Sequence, residues 1–168
     1  MNRTHKILII LFLILMIIGL AGPTMASQKS WNIWEESIEK PAPEFVLKDL
    51  EDNEVRLSDY KGKVVLLDFT TTWCPYCRRI RPYLEKIHDR YNKKDFVLLS
   101  IYLQESKKKV KSYTEKYKIP YKSLLDEEGS TAESYGIVGV PTLILINKEG
   151  KIVCKQCRSV DIMLEEMF

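Results

Sequence analysis

Four cysteines are the residues of this chain best suited to chemistry, and they fall in two pairs of identical spacing, Cys74/Cys77 and Cys154/Cys157. The first pair stands in Trp73-Cys74-Pro75-Tyr76-Cys77, just after the apolar run 64–69. A C-x-x-C where a strand gives way to a helix is a redox motif first and a metal motif second. The reason is geometric. A helix N-terminus presents unpaired N–H groups and the positive end of the helix dipole, and both favour a thiolate over a thiol. Cys74 takes that place. Cys77 follows one turn on, within reach of a disulfide. Pro75 fits the first turn, where a missing N–H costs nothing. Asp68 interrupts the apolar run shortly before Cys74. A carboxylate left unpaired in such a strand is costly, and its pKa rises; alternatively, Asp68 turns to a backbone donor at the strand's end.

These residues need a strand, a helix and a supporting sheet. Residues 45–50 and 55–57 alternate apolar and polar about Glu51-Asp52-Asn53-Glu54, which is a hairpin signal. The run 64–69, apolar but for Asp68, reads as a strand buried on both faces. A helix is expected over 74–91, with Ile80, Leu84 and Ile87 on one face and Pro82 kinking it. A strand follows at 96–103, then a helix to about residue 117 whose apolar face carries Val110, Tyr113 and Tyr117. Its lysines at 107, 108, 109 and 111 form either a solvated face or a docking patch for an acidic partner. A short strand (121–125), a short helix (130–135), a strand (142–146), a turn (147–150), an antiparallel return (152–155) and a terminal helix (160–168) complete the chain. Strands alternating with helices, with hairpins at the edges, give an α/β fold.

The chain's 168 residues suit one domain plus an appendage. A net charge of +3 makes no case for nucleic acid. At the N-terminus, Arg3, His5 and Lys6 precede the apolar run 7–20, and Gly22-Pro23-Thr24-Met25-Ala26-Ser27 follows. This is the pattern of a secretory signal cut after Ala26. An uncleaved signal anchor fits as well, because Ala21 and Gly22 extend a run otherwise short of the ~20 residues that span a bilayer. The expected organisation is therefore a signal peptide or signal anchor over 1–26, a linker over 27–41, and one domain over 42–168. In the linker, Trp31, Trp34 and Ile38 share one face of a short helix, resting on the domain or at a membrane interface. Either fate of the signal places the domain outside the cytoplasm, where disulfides persist.

Over residues 42–153 the chain resembles the thioredoxin superfamily and, more narrowly, the exported ResA/TlpA type of thiol–disulfide oxidoreductase. The likeness rests on Pro43-Glu44-Phe45-x-Leu47, Gly62-Lys63-Val64-Val65-Leu66, Trp73-Cys74-Pro75-Tyr76-Cys77, Tyr135-Gly136-x-x-Gly139-Val140-Pro141-Thr142 and Gly150-Lys151-Ile152-Val153. It implies a thioredoxin fold, a central mixed sheet flanked by helices, with an N-terminal β-hairpin and a central insertion. It further implies a cis peptide before Pro141 and reversible dithiol chemistry with no bound cofactor. In this likeness Cys74 is the attacking thiol and Cys77 the resolving one. Asp68 is the buried acid that exchanges a proton with Cys77. Pro141 points the backbone of Val140 at an extended substrate strand. Trp73 shields the disulfide and shapes the groove, and Pro75 and Tyr76, between the cysteines, tune the redox pair. The implied partners are protein thiols and disulfides, for example the haem-attachment cysteines of c-type cytochromes, and a membrane electron donor. The implied direction is reducing.

The chain also departs from that pattern. Arg79-Ile80-Arg81 stands where many such proteins carry an acid, so that acid's role does not transfer. The cations instead favour thiolates and acidic partner segments. Many exported members have Asn where Asp68 stands. C-P-Y-C also resembles glutaredoxins and does not forbid a disulfide-donating oxidant. Thr71-x-x-Cys74 superficially fits a peroxiredoxin-like thiol peroxidase, but Leu67 stands where its upstream proline is expected. A redox-sensing chaperone domain is the non-catalytic alternative.

Cys154-Lys155-Gln156-Cys157 is not a general feature of the family. If Ile146 pairs opposite Lys151, Val140 faces about Cys157, and the second pair approaches the Pro141 end of the sheet. A strict strand puts residues 154 and 157 on opposite faces, so they bond only if the strand breaks near Gln156. A disulfide that exchanges with Cys74/Cys77, a passive disulfide and unpaired thiols all fit the sequence. A zinc site from all four cysteines is not expected, because the gap between the pairs far exceeds the usual ~15–20 residues.

Overall fold

The computed structural model describes residues 40–168. The strands are β1 (Lys40–Pro41), β2 (Val46–Asp49), β3 (Glu54–Arg56), β4 (Val64–Thr70), β5 (Phe96–Leu103), β6 (Lys122–Asp126), β7 (Thr142–Ile146) and β8 (Lys151–Lys155). The helices are α1 (Pro75–Tyr91), α2 (Lys107–Tyr117), α3 (Ser130–Ser134) and α4 (Val160–Met167). All eight strands join one mixed sheet in the order β1-β8-β7-β4-β5-β6-β2-β3. β4, β5 and β6 run parallel; β7 pairs with β4 antiparallel.

β4 is buried at all seven positions, as a central strand covered on both faces must be. Its alternation divides the core. Val65, Leu67 and Phe69 pack with Leu99, Ile101, Ile144 and Ala132 of α3 on one side. Val64 and Leu66 pack on the other side, with Leu84, Ile87 and Tyr91 of α1 and with Val160 and Leu164 of α4. α2 seats Val110 against Tyr102, Leu50 and Leu125. The strand that delivers the first cysteine pair is thus fixed from above and below, and α1 lies on the face that carries Asp68.

The hairpin expected over 45–57 forms as β2 and β3, and β2 also pairs with β6, so the hairpin extends the central sheet. At the other edge, Lys40 and Pro41 pair with Lys151 and Ile152, so the sheet begins just before the expected domain start at residue 42. α1 runs through Pro82 as one helix of 17 residues. The signal peptide or anchor over 1–26 and the Trp31-Trp34-Ile38 helix lie outside the described residues. Among the described residues, no helix is long and apolar enough to cross a membrane.

The register of the last hairpin differs from expectation. Asn147 and Lys151 close the loop: Lys151 N–H donates to Asn147 Oδ1 at 2.9 Å, and Asn147 N–H to the Lys151 carbonyl at 2.9 Å. Gly150 adopts φ +78°, the left-handed residue that a three-residue hairpin loop requires. Ile146 therefore faces Ile152 rather than Lys151, and an irregularity between Leu145 and Ile146 then sets Leu145 opposite Cys154. Cys157 meets Leu143, its N–H bonding the Leu143 carbonyl at 3.1 Å, in place of the expected Val140.

Candidate active site

Cys74 caps α1. Its backbone is extended, Pro75 occupies the first turn, and its sulfur accepts the N–H of Cys77 at 3.1 Å. The same sulfur lies 3.8 Å from the Val140 carbonyl, to which its S–H donates. The Val140–Pro141 peptide is cis. Cys74 thus sits between a helix N-terminus and a backbone edge turned toward it, the geometry expected from residues 73–77 and 135–142. Both cysteines are free thiols and buried.

Cys77 is held differently. Burial pushes its thiol well above the usual range, and the neighbouring Cys74 sulfur adds to the rise. The Thr70 hydroxyl and the Thr71 N–H face it and act in the opposite sense. The threonines at 70–72 are all buried, a polar strip between the apolar strand and the cysteines.

Asp68 projects to the same face of β4 as Thr70, by the two-residue period of a strand. It is buried, and burial raises its pKa to about 7. Ser100, its register partner on β5, donates to Oδ2 at 2.8 Å. Oδ1 has no hydrogen-bond partner. The alternative of a backbone donor at the strand's end is replaced by this hydroxyl, because position 68 lies inside the ladder, where backbone donors are already paired.

Trp73 and Tyr76 stand out from the surface, each 63% exposed, and Val138 is more exposed still. Trp73 therefore forms an apolar rim rather than a buried cover. The Arg79 guanidinium lies 5.4 Å from the Tyr76 ring centroid. Arg81, expected to support the thiols, lies 4.2 Å from the Tyr117 ring centroid and pairs with Glu85 at 3.2 Å, tying α1 to α2. His88 packs its ring against Tyr121. Among the described residues no group of three or more His, Cys, Asp or Glu gathers to hold a metal.

One functional residue was missed in the sequence. Glu105 is buried and accepts two hydrogen bonds of 2.7 Å from Thr72, one from its N–H and one from its hydroxyl. Lys109 pairs with it at 2.6 Å. Glu105 thereby pins the loop that carries Trp73 and Cys74. Gln104-Glu105-Ser106 reads only as the entry to a helix. The sequence signal was a second acid at the end of an apolar strand, beside the one at 68.

A groove of about 510 Å³ runs from the cis-proline loop along α1. Val140, Pro141, Ile80 and Tyr83 line it, and so do Cys157 and Arg158. Cys154 and Cys157 are joined in a disulfide. The strand breaks as this bond requires: β8 ends at Lys155, and Gln156 turns at φ +60°.

A dithiol held at a helix N-terminus against a cis-proline edge, on this sheet, defines a thiol–disulfide exchange protein of the thioredoxin fold. Residues 38–155 match the AhpC/TSA family. The chain is 31% identical over 153 residues to the thiol-disulfide oxidoreductase ResA of Bacillus thuringiensis subsp. konkukian, covering 90% of this chain and 87% of that one. ResA of Geobacillus thermodenitrificans is 30% identical over 152 residues, with the same coverage of both chains. The thioredoxin domain of a thiol-disulfide oxidoreductase from Bacteroides vulgatus superposes with a TM-score of 0.71 at 34% identity, over 77% of this chain and 96% of that one. A thiol:disulfide interchange protein from Bacteroides sp. gives 0.69 at 35% identity, over 76% and 88%. The chain belongs to the AhpC/TSA family and, within it, to the ResA/TlpA type of thiol–disulfide oxidoreductase. Leu67, where a peroxidase of this kind would carry its proline, is fully buried in β4.

Proposed function

We propose that this enzyme reduces disulfides of protein substrates outside the cytoplasm, held there by its N-terminal segment or released by cleavage of it. The observation that carries this reading is the placement of Cys74 Sγ between the Cys77 N–H and the Val140 carbonyl. A substrate strand pairing beside Val140 brings its disulfide to Cys74. Cys74, whose sulfur faces the Cys77 N–H, attacks as a thiolate on one substrate sulfur and releases the other as a thiolate, which takes up a proton. Cys77 then attacks Cys74, closes the Cys74–Cys77 disulfide and frees the reduced substrate.

The reducing direction draws support from the second step. A thiol pushed up by burial does not ionise unaided at neutral pH, so Cys77 needs a base. Asp68, raised to about 7 with one unpartnered oxygen, is matched to that task. Trp73, Tyr76 and the groove beside Pro141 hold the substrate, with Pro75 and Tyr76 tuning the pair. The dithiol itself carries the electrons, so no cofactor is needed. A membrane electron donor returns the pair to the dithiol state. The haem-attachment cysteines of c-type cytochromes are the substrate class that the likeness to ResA favours.

Equilibration with dithiothreitol or glutathione buffers tests the direction. A potential near that of thioredoxin, about −270 mV, supports a reductant; one near that of a strong oxidant, about −120 mV, overturns it.

A further inference from the structure

The reaction just described leaves Cys154–Cys157 without a task. As a staple the bond is of the weakest kind, because two residues separate the cysteines and closing so short a loop removes little chain entropy. The turn it spans is already tied by the Cys157 N–H to the Leu143 carbonyl. Its position is more telling than its strength. Cys157 lines the groove that also contains Val140 and Pro141, and Cys154 is half-buried at the end of β8, with solvent access. Both sulfurs lie on the face of the sheet covered by α1, the helix that carries Cys74 and Cys77. The two pairs are not in contact along the strand. Cys74 meets the chain at Val140, and Cys157 meets it at Leu143, three residues on and past the cis peptide.

We propose that Cys154–Cys157 is a second thiol–disulfide exchange site, which oxidises a protein dithiol entering the groove from outside. The proposal rests on the reading of this groove as the path of a protein partner. A thiolate of the incoming dithiol attacks Cys154, the more accessible sulfur. The bond to Cys157 breaks, and Cys157 departs as a thiolate and takes up a proton. The partner's second thiol loses its proton and attacks the partner's own sulfur in the mixed disulfide, which frees Cys154 to be protonated. Two electrons and two protons pass from the dithiol to the pair, and the partner leaves with a disulfide. Arg158, on the groove's rim, selects partners with acidic residues near their cysteines.

The test uses the full chain carrying Cys74→Ser and Cys77→Ser, so that only the second pair can exchange. The protein is incubated with a peptide bearing two cysteines and an acidic flank, thiols are counted by alkylation and mass, and folding is followed by circular dichroism. Two alkylated cysteines, an equal amount of oxidised peptide and an unchanged spectrum are expected. The same peptide with one of its cysteines replaced by serine is expected to stop at a mixed disulfide with Cys154 and to leave Cys157 a free thiol. A pair that stays oxidised until the domain unfolds, or the absence of that adduct, overturns the proposal. Reduction that occurs in the unmodified chain but not in the variant also overturns it, since the electrons then come from Cys74 and Cys77. Failure of the main reading shows itself separately, as an unmodified chain that does not reduce insulin disulfides.

Discussion

Cys74 and Cys77 lie where a parallel, fully buried strand hands over to a helix; Cys154 and Cys157 lie where an antiparallel strand breaks at Gln156. The spacing is the same and the outcome differs. On α1, residues three apart share a face, and the Cys77 N–H reaches the Cys74 sulfur at 3.1 Å while both thiols remain free. On β8, residues three apart would face opposite ways, and only the left-handed Gln156 brings them to a Cα separation of 5.7 Å and a bond. The first pair has a helix N-terminus, a carboxylic acid near its working range and a cis-proline edge. The second closes a break at the end of β8, and its Cys157 lines a groove together with Val140 and Pro141. A C-x-x-C therefore acquires its chemistry from the backbone around it.

The comparison breaks most sharply at the first pair. Cys74→Ser is expected to drop reduction of insulin disulfides to the uncatalysed background, although Cys154 and Cys157 remain. Substantial residual turnover would show that the second pair can stand in for the first.

Asp68→Asn comes next. The resolving step is expected to slow by about 10²-fold and to lose its pH dependence near 7, read by stopped-flow decay of a mixed disulfide. Stability moves the other way. The folded pKa of about 7 lies above the ordinary 3.8, so the folded state favours the protonated acid. Asp68 carries no penalty below about pH 4; the penalty grows as pH rises and is complete above about 7, where it reaches at most about 4 kcal/mol. Asp68→Asn is thus expected to raise the melting temperature at pH 8 and to leave it nearly unchanged at pH 4. An equal gain at both values would remove the buried-acid account.

The smallest effect sharpens what positions the first pair. Glu105→Ala leaves the Thr72 N–H and hydroxyl without their acceptor, at a cost of about 1–3 kcal/mol. Glu105→Gln keeps an acceptor for the N–H. Thiol alkylation of Cys74 is expected to slow several-fold in the alanine variant and to recover most of its rate in the glutamine variant. No recovery would mean that the charge of Glu105, rather than its grip on Thr72, matters.

Much of this was legible in the sequence because it follows from local periods. The buried run 64–69 is central strand, Pro75 and the cysteines mark the start of α1, and 142–155 is a hairpin. Asp68 stood out as a charge in an apolar run. What stayed hidden depends on contacts far apart in the chain. Glu105 meets Thr72 across 33 positions. Arg81 spends its charge on Tyr117 and Glu85 instead of on the thiols. The register of the last hairpin turned on a left-handed Gly150, which sets the loop at three residues and moves Cys157 from Val140 to Leu143. The cis peptide at Pro141 came from family likeness, since no local pattern specifies it.

The most direct measurement is capture. With Cys77→Ser in the full chain and Cys154–Cys157 intact, a disulfide-bonded protein substrate is expected to accumulate as a covalent adduct, mapped by mass spectrometry to Cys74. An adduct on Cys154 or Cys157 in its place, or none at all, would contradict the assignment of Cys74 as the attacking sulfur.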